Sequence, residues 1–311
     1  MRYLVSRLAS AAVVLLAAFT LAFLLLQALP GDAVMIRFEN PELGLTPEQI
    51  AQIRESYGAD AGLLAKYWHA LSGTLSGDLG FSVASGAPVR VLLGEAIPST
   101  LLLAGLGFVV AAILASILAF ASTLSRFGWL RNFLRSLPSL FVSVPVFWLG
   151  IVLIQVFSFR LGWISVIRPG PLESLILPVL TLAVPISAPL AQVLVRAIDD
   201  VKAAPFVTVV RAKGASEAWI LVRNVLRNAA LPTLTIAGVL LGELIGGAVV
   251  TETVFARFGL GRLTASALEG QDTPVLQGIV ILAAFAFVVV NLIVDLIAPA
   301  IDPRLARRVA A

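Results

Sequence analysis

The stretch VVRAKGASEAWILVRNVLRNAALP, Val209 to Pro232, places four basic residues and a glycine between two long apolar runs. Ser216 offers a helix N-cap, and Glu217 follows in the first turn, where a carboxylate faces the positive end of the helix dipole. Upstream, Pro205 can begin a short helix that stops before Gly214. The pattern therefore predicts two short helices that meet at a glycine elbow.

The second helix of this elbow carries an apolar stripe beside a basic one. Helical spacing relates the apolar side chains of Trp219, Val222, Leu226 and Ala230. Arg223 and Arg227 lie at i and i+4 on the neighbouring polar stripe. Periodicity alone leaves two interpretations open, a linker that rests on anionic headgroups or a docking surface for a cytoplasmic partner.

The composition outside the elbow is that of a membrane protein. Of 311 residues, 59% are hydrophobic and 13% are charged, whereas ordinary soluble domains have about 25% charged residues. Cysteine is absent and His69 is the single histidine, so disulfides, thiolate chemistry and Cys/His metal sites are excluded. We expect His69 to be a surface or packing residue and expect no metal site.

Charge-poor apolar runs predict six transmembrane helices, because about 20 apolar residues cross a bilayer core of about 30 Å. The predicted spans are Leu8 to Leu29, Thr100 to Leu124, Leu137 to Phe159, Leu175 to Val195, Ala229 to Thr251 and Val275 to Ala298. The apolar run of the first is too long for a cleaved signal peptide, and QALPGD is a poor cleavage site. The expected fold class is an all-α polytopic membrane protein with an external loop domain after helix 1.

The distribution of basic residues predicts the orientation of these spans. With Arg2 and Arg7 in the cytoplasm, 14 of the 22 basic residues fall on the cytoplasmic side, as the positive-inside rule requires. Both termini are then cytoplasmic. The excess of basic residues reflects the orientation of the spans in the membrane, so nucleic-acid binding explains it poorly.

The largest loop, Pro30 to Ser99, lies outside by this assignment. Thr46 as N-cap, Pro47 at the first helical position and Glu48 in the first turn predict a helix start. The later stretch SGDLGFSVASGAPV is rich in glycine and serine and predicts an irregular loop or a short hairpin.

The elbow sequence RAKGASEAWILVRNVLRNAALP resembles the cytoplasmic EAA loop of bacterial ABC-importer permeases, in particular the peptide, nickel and opine branch. The resemblance extends in order through LPGD, TPEQI, SGDLGFS, IPSTLLL, SVPVFWLGIVLI, ETVFARFGLGRL and NLIVDLIAPAIDPR. Two departures stand out: Thr208, Val209 and Val210 occupy the place of the acidic residue that names the loop, and Arg257-Phe258 replaces Trp-Pro.

The resemblance implies a type I ABC importer transmembrane domain in a bacterial inner membrane. Its implied partners are a second, different permease chain, two cytoplasmic ATP-binding subunits, an external substrate-binding protein and the lipid bilayer. No cofactor is expected on this chain, and ATP and magnesium are expected on the ATP-binding subunits. The sequence agrees, because none of Lys66, Lys202 and Lys213 follows a glycine as a phosphate-binding loop requires.

The implied organisation is residues 1–29 as the first span, 30–99 as the external loop region and 100–311 as the permease core. Residues 197–228 form its coupling loop. The residues expected to couple to the ATPase are Phe206, Val210, Arg211, Ala212, Lys213, Gly214, Ala215, Ser216, Glu217, Arg223 and Arg227. Phe206, Val209 and Val210 would supply apolar contact, with Arg211, Lys213 and Glu217 as polar anchors.

Acids inside the spans are candidates for the transport pathway. Three roles are open for Glu243, since an ionisable group in a span needs a partner or water. It lines a conduit, it pairs with an arginine of the second permease, or it relays protons. Further pathway or gate candidates are Glu252, Phe255, Gly259 and Gly261. Structural roles, such as capping and interhelical hydrogen bonds, are expected for Asn291, Asp295, Asp302 and Arg304.

The resemblance implies uptake of a small solute, with di- or oligopeptides favoured over nickel or another metal chelate and over opines. A secondary transporter is a weaker alternative, because no internal repeat accompanies the two lone acids in the spans. An enzyme is not expected, since no histidine or cysteine lies in any span to support catalysis.

Overall fold

The computed structural model of the chain describes residues 2–27, 46–49, 52 and 62–301. The helices are α1 (Arg2–Gln27), α2 (Leu63–Ser76), α3 (Val89–Leu124), α4 (Gly128–Ser143), α5 (Val146–Leu153), α6 (Glu173–Lys202), α7 (Pro205–Ala212), α8 (Glu217–Ile220), α9 (Leu226–Val254), α10 (Leu260–Glu269) and α11 (Thr273–Ile301). Wider π-helical turns follow α5 at Ile154–Arg160 and join α8 to α9 at Leu221–Val225. Strand-type pairing in the described part is limited to one bridge, between Phe81 and Pro88. The predicted all-α class is confirmed.

Five helical segments are long and apolar enough to cross a membrane, and a sixth crossing results if α4 and α5 count as one broken span. The five are α1, α3, α6, the continuous stretch from α8 into α9, and α11. The prediction of one helix over Leu137 to Phe159 is wrong, since α4 ends at Ser143 and α5 leaves it at a bend of 102°. The helix that contains the second predicted span begins before it, at Val89.

The break between α4 and α5 has a local cause. Val144 precedes Pro145, and a proline disfavours the helical conformation of the residue before it. Both residues are extended, with ψ values of 119° at Val144 and 135° at Pro145. The apolar composition is continuous through this point, so the hydropathy pattern alone gives no sign of the bend.

The first of two compact units comprises Thr100–Arg257 and α11 from Val289 on. Its core joins α3, α6 and α9 at three levels. The matching residues are Ala119, Ile198 and Ala229 at the first level, Ala115, Leu190 and Ala237 at the second, and Leu103, Leu182 and Leu244 at the third. Along this order α3 and α6 run parallel to each other, and α9 runs antiparallel to both.

The parallel course of α3 and α6 requires the chain between them to cross back. The segment from α4 to α5 makes this return. Arg135 of α4 contacts Asp199 near the end of α6 at 2.9 Å, whereas Gly150 of α5 lies against Thr181 near its beginning. The bent pair α4–α5 therefore supplies the sixth crossing that the sequence predicts.

The second unit comprises Arg2–Ser99 and Phe258–Val288. Its core packs the start of α3 against α10 and α11 through Val89, Leu93, Leu260 and Val275. Gly278 permits the close approach, because a Cβ at this position would lie 2.9 Å from Val89 Cγ1.

A buried carboxylate organises a turn in this second unit. Asp272 lies between α10 and α11 and accepts a hydrogen bond from the Ser82 hydroxyl. It also accepts hydrogen bonds from the backbone N–H groups of Val83 at 3.2 Å and Ala84 at 3.1 Å. The turn has the bridge of a short hairpin, which was one of the two forms predicted for it.

The predicted helix start at Thr46 is confirmed. The Gln49 N–H donates to the Thr46 hydroxyl at 3.3 Å, and the Thr46 N–H donates to the Gln49 side chain at 2.9 Å. This reciprocal pair is a capping box, which satisfies two backbone donors that a helix start leaves free.

Candidate functional site

The elbow predicted between the fourth and fifth spans is present, and its two short helices begin and end near the predicted residues. α7 begins at Pro205 and ends at Ala212, and Gly214 follows with a φ of +86°. The Trp219 N–H then donates to the Ser216 hydroxyl at 3.3 Å, which caps the start of α8. A Cβ added at Gly214 would meet no atom within 4 Å, so the left-handed backbone, and not lack of space, favours glycine here.

A single carboxylate ties three segments of the elbow together. Glu217, at the start of α8, lies 2.7 Å from Arg211 Nε at the end of α7 and 2.9 Å from Lys202 Nζ at the end of α6. The hydrogen bond from Arg211, followed by that from Lys202, lowers the pKa of the Glu217 carboxyl to about 2. The same contact raises the pKa of Arg211. We call Lys202, Arg211 and Glu217 the staple.

The elbow has a buried face that anchors it to the bundle. Val207, Ile220, Leu221 and Val225 are buried and form one hydrophobic cluster with the ends of α3 and α6. The predicted apolar stripe that begins at Trp219 and Val222 is not part of this buried face, since both side chains are exposed. The π-helical turn at Leu221–Val225 contributes two of these buried side chains, Leu221 and Val225.

The opposite face of the elbow leaves apolar side chains exposed. Phe206, Val209, Trp219 and Val222 are 43%, 56%, 51% and 64% exposed. A groove of about 680 Å³ lies beside Trp219, and its walls are Val210, Lys213, Gly214, Ala215, Ser216, Trp219 and Asn224. Asn224 Nδ2 is buried and has no hydrogen-bond partner within the described residues. This face thus combines apolar contact area with unsatisfied polar groups.

The predicted coupling residues do not all have the same environment. Arg211 and Glu217 contact each other, so these two predicted anchors already have a partner within the chain. Lys213 is exposed at the groove. Arg223 and Arg227 are also exposed, in the π-helical turn and at the start of α9.

The acids of α9 have contrasting environments. Glu243 is exposed, and within the described part of the chain no hydrogen bond or ion pair engages its carboxylate. Glu252 is fully buried and accepts a hydrogen bond from the Thr100 hydroxyl at 2.6 Å. Glu252 therefore faces the interior in this conformation, whereas Glu243 faces outward.

The remaining candidates lie around the end of α9 or near the end of the chain. Phe255 packs against Gly150 of α5, where an added Cβ would lie 3.3 Å from its ring. Gly259 and Gly261 are buried in the second unit. Asn291 is half-buried in α11. The side chain of Asp295, and residues Asp302 and Arg304 altogether, lie outside what the structure describes.

Arg257, one of the two departures from the family pattern, connects the end of α9 to the start of α6. Its Nη1 donates to the carbonyl oxygen of Ser174 at 3.4 Å and to the Ser174 hydroxyl at 3.3 Å. Within the described residues, no three His, Cys, Asp or Glu side chains form a group that could hold a metal ion.

Three of these contacts involve residues that sequence reasoning missed. Lys202 was not identified as a partner of Glu217, nor Thr100 as a partner of Glu252, nor Asp272 as the acceptor for the turn near Ser82. Only the cationic last turn of α6 offered a signal. The other two pairs join residues 152 and 190 positions apart, beyond the reach of local spacing.

Comparison with known proteins gives matches over nearly the whole chain. Residues 107–307 match the family described as binding-protein-dependent transport system inner membrane component, and residues 1–104 match its N-terminal counterpart. The glutathione transport system permease protein GsiC of Escherichia coli O6:H1 is 34% identical over 303 residues, covering 97% of this chain and 98% of GsiC. GsiC of Salmonella typhimurium is 33% identical with the same coverage.

Solved structures with the same fold are more distant in sequence. The inward-facing MetNI methionine ABC transporter superposes with a TM-score of 0.58 at 18% identity, covering 68% of this chain and 96% of that one. An amino acid ABC transporter crystallised with histidines gives a TM-score of 0.52 at 17% identity, covering 68% and 94% of the two chains. These two likenesses concern the fold alone.

Proposed function

The chain belongs to the family of binding-protein-dependent transport system inner membrane components, and from this premise we propose that its elbow is the docking site of a partner ATPase. Members of this family are permease subunits of ABC importers, so the chain is a non-catalytic, multi-pass inner-membrane subunit that translocates a small solute. ATP hydrolysis belongs to a separate subunit. The resemblance to the peptide and nickel branch is confirmed.

The exposed face of the elbow is the observation that carries this proposal. Phe206, Val209 and Trp219 expose apolar surface, and Trp219 and Lys213 line the groove. Contiguous exposed apolar surface outside a membrane is typical of a protein interface. An ATPase cleft that receives this edge would bury the three side chains and offer an acceptor to the unsatisfied Asn224 Nδ2.

The elbow can transmit force because it is rigidly connected on both sides. Its buried residues pack on α3 and α6, and the staple holds the end of α7 against the end of α6. The π-helical turn then leads without a break into α9. A movement of the docked elbow would therefore tilt α6 and α9 together. Driving such an equilibrium from 1:99 to 99:1 needs about 5.5 kcal/mol.

The full assembly proposed for this chain contains two cytoplasmic ATP-binding subunits, one external binding protein and a second, different permease. ATP and magnesium are bound by the ATP-binding subunits. With the elbow on the cytoplasmic side, both termini are cytoplasmic as well, and residues 30–99 are external. The proposed organisation keeps 1–29, 30–99 and 100–311 as regions, with 197–228 as the coupling loop.

Small peptides are the proposed cargo. The relatives named above are described as glutathione permeases, and glutathione is itself a tripeptide. Nickel or another metal chelate and opines are the second candidates, from the same branch of the family. A secondary transporter would take up solute after the partner ATPases are inactivated, which the proposed mechanism forbids.

Site-directed photo-crosslinking tests the docking proposal, because the chain has no cysteine of its own. A benzophenone maleimide on Val209→Cys should crosslink to the ATPase subunit in the assembled transporter. The matched control is Leu161→Cys, which is also exposed but follows α5 at the other end of the return crossing. ATPase adducts at Leu161→Cys and none at Val209→Cys would contradict the proposal.

A further inference from the structure

One face of α9 is exposed along the whole helix, and it is unusually polar for a membrane helix. Its exposed residues are Asn228, Pro232, Thr235, Val239, Glu243, Gly246, Val250 and Thr253. At about 100° per residue these positions fall within an arc of about 80°. We call this face the polar stripe.

The exposed face of α3 shows what a lipid-facing surface of this protein looks like. Its exposed residues between 101 and 117 are Leu101, Leu102, Gly105, Leu106, Val109, Ile113 and Ile117. None carries a polar side chain, as expected where water is absent. Polar side chains in a span instead face a bundle interior or a water-filled path. The polar stripe therefore does not face lipid.

Glu243 lies deep along this stripe. Its neighbour Leu244 packs with Leu103 and Leu182 at the level of the core farthest from the elbow. Ala229, at the elbow end, is about 21 Å away along the helix axis, at about 1.5 Å per residue. An ionised carboxylate at this depth requires water or a cation, and the described part of the chain supplies no cationic partner.

The polar groups of the stripe present mainly acceptors. The Thr235 hydroxyl donates to the Leu231 carbonyl at 3.1 Å, and the Thr253 hydroxyl donates to the Val249 carbonyl at 2.8 Å. Asn228 Nδ2 donates to the Asn224 carbonyl at 2.8 Å. With these protons engaged on the helix itself, oxygen lone pairs, the second Nδ2 proton of Asn228 and the Glu243 carboxylate remain for a ligand.

We propose that the polar stripe lines the solute path and that Glu243 makes this path selective for solutes that carry an ammonium group. The inference rests on the proposed function and adds the charge of the cargo to it. The acceptors spread over about 37 Å of the helix at about 1.5 Å per residue. A fixed ion pair with a second permease needs an acceptor at one place only, whereas a moving cation is served by acceptors along its route.

The test uses the complete transporter in proteoliposomes, with radiolabelled glutathione, which carries an α-ammonium group, as the probe. Glu243→Gln keeps the size of the side chain and removes the charge. We expect ATP-driven uptake to fall about tenfold, the effect of losing a hydrogen bond between charged groups, and Glu243→Asp to restore most of it. The matched control Glu269→Gln makes the same change at an exposed acid of α10 and should leave uptake unchanged.

Three results would overturn the inference. Uptake by Glu243→Gln equal to that of the wild type would show that the charge has no role in selection. Loss of the second permease from the purified Glu243→Gln complex would identify Glu243 as an interchain ion pair. Equal loss of uptake in Glu243→Asp would indicate a packing role. Uptake by the wild type tests the proposed function itself, and the ratio of variant to wild type tests only this inference.

Discussion

Glu217 and Glu243 are carboxylates on one continuous helical stretch, yet their surroundings are opposite. Glu217 lies in the elbow and contacts two cations of its own chain. Glu243 lies far along α9 from the elbow, on the exposed face of the helix, and the described residues provide it with no partner. A carboxylate in water needs no partner, so the pair at Glu217 holds a shape. A carboxylate in a membrane does need one, and the described residues supply none, which supports our proposal of a cationic solute as its partner.

Reversing the charge at Glu217 should have the largest effect on ATP-driven uptake of the changes considered below. Glu217→Arg places a third cation beside Arg211 and Lys202, so we expect the elbow to open and ATP-driven uptake to fall about tenfold or more. A like-charge contact replaces two hydrogen bonds between charged groups at the point where the ends of α6 and α7 share one partner at the start of α8. Uptake measured in proteoliposomes, with the amount of inserted protein as reference, gives the readout.

The double variant Arg211→Glu with Glu217→Arg is the control for this change. It restores one opposite-charge pair at the same place, and we expect partial recovery of uptake. If the double variant is as inactive as Glu217→Arg alone, Glu217 contacts the ATPase directly and the staple has no role in coupling.

A substitution at Gly214 tests whether the shape of the elbow is needed for ATPase docking. We expect a somewhat smaller effect than for Glu217→Arg. Gly214→Val forces a β-branched residue into a left-handed backbone, which costs about 1–2 kcal/mol and corresponds to a five- to thirtyfold shift in an equilibrium, since about 1.4 kcal/mol is tenfold. We expect weaker co-purification of the ATPase at unchanged membrane insertion. The matched control is Gly128→Val, at the start of α4, where there is also open space and no positive φ.

A substitution at Thr100 tests the hydrogen bond to a third carboxylate, that of the buried Glu252. Thr100→Val keeps the shape of the side chain but removes the hydroxyl that donates to Glu252 at 2.6 Å. Loss of a hydrogen-bond donor to a buried acceptor costs about 1–3 kcal/mol, so the melting temperature in detergent should fall by a few degrees. Thr100→Ser, which keeps the hydroxyl, should melt close to the wild type, and a melting temperature of Thr100→Val equal to the wild type would contradict the role of this contact.

Acidification should have the smallest effect on the staple. The pKa of Glu217 is lowered in the folded state to about 2 from its usual value of 4.5, so its contribution to stability is present above about pH 4.5 and is lost as the pH falls toward 2. Between pH 7 and pH 5 we expect no loss of amide protection at Trp219 and its neighbours in hydrogen–deuterium exchange. A drop in protection already at pH 5 would mean that the staple is weaker than its geometry indicates.

The helix boundaries of the elbow were predictable because they depend on local chemistry. Pro205 at a helix start, Gly214 in a left-handed turn and Ser216 as a cap each act within a few residues, so the sequence pattern contains the whole cause. The family resemblance likewise followed from short motifs in a fixed order. The number of crossings also came out correctly once the bent pair α4–α5 is counted as one.

What could not be predicted depends on geometry over longer distances. The π-helical turn at Leu221–Val225 was not predicted, because periodicity assumes a regular helix. The bend at Pro145 was hidden because the apolar run continues through it. Glu252 was predicted only as a pathway or gate candidate. Its hydrogen bond with Thr100 was not predictable, because it depends on how α3 and α9 pack.

The hydrogen bonds of Asp272 have a consequence for the order in which the protein matures. Ser82 and Asp272 are separated by 190 positions, and the N–H groups of Val83 and Ala84 share the same acceptor. During synthesis the turn at Ser82 emerges long before this acceptor exists. Its native hydrogen bonds can form only after the ribosome has added Asp272, so this early segment of the chain completes its fold among the last.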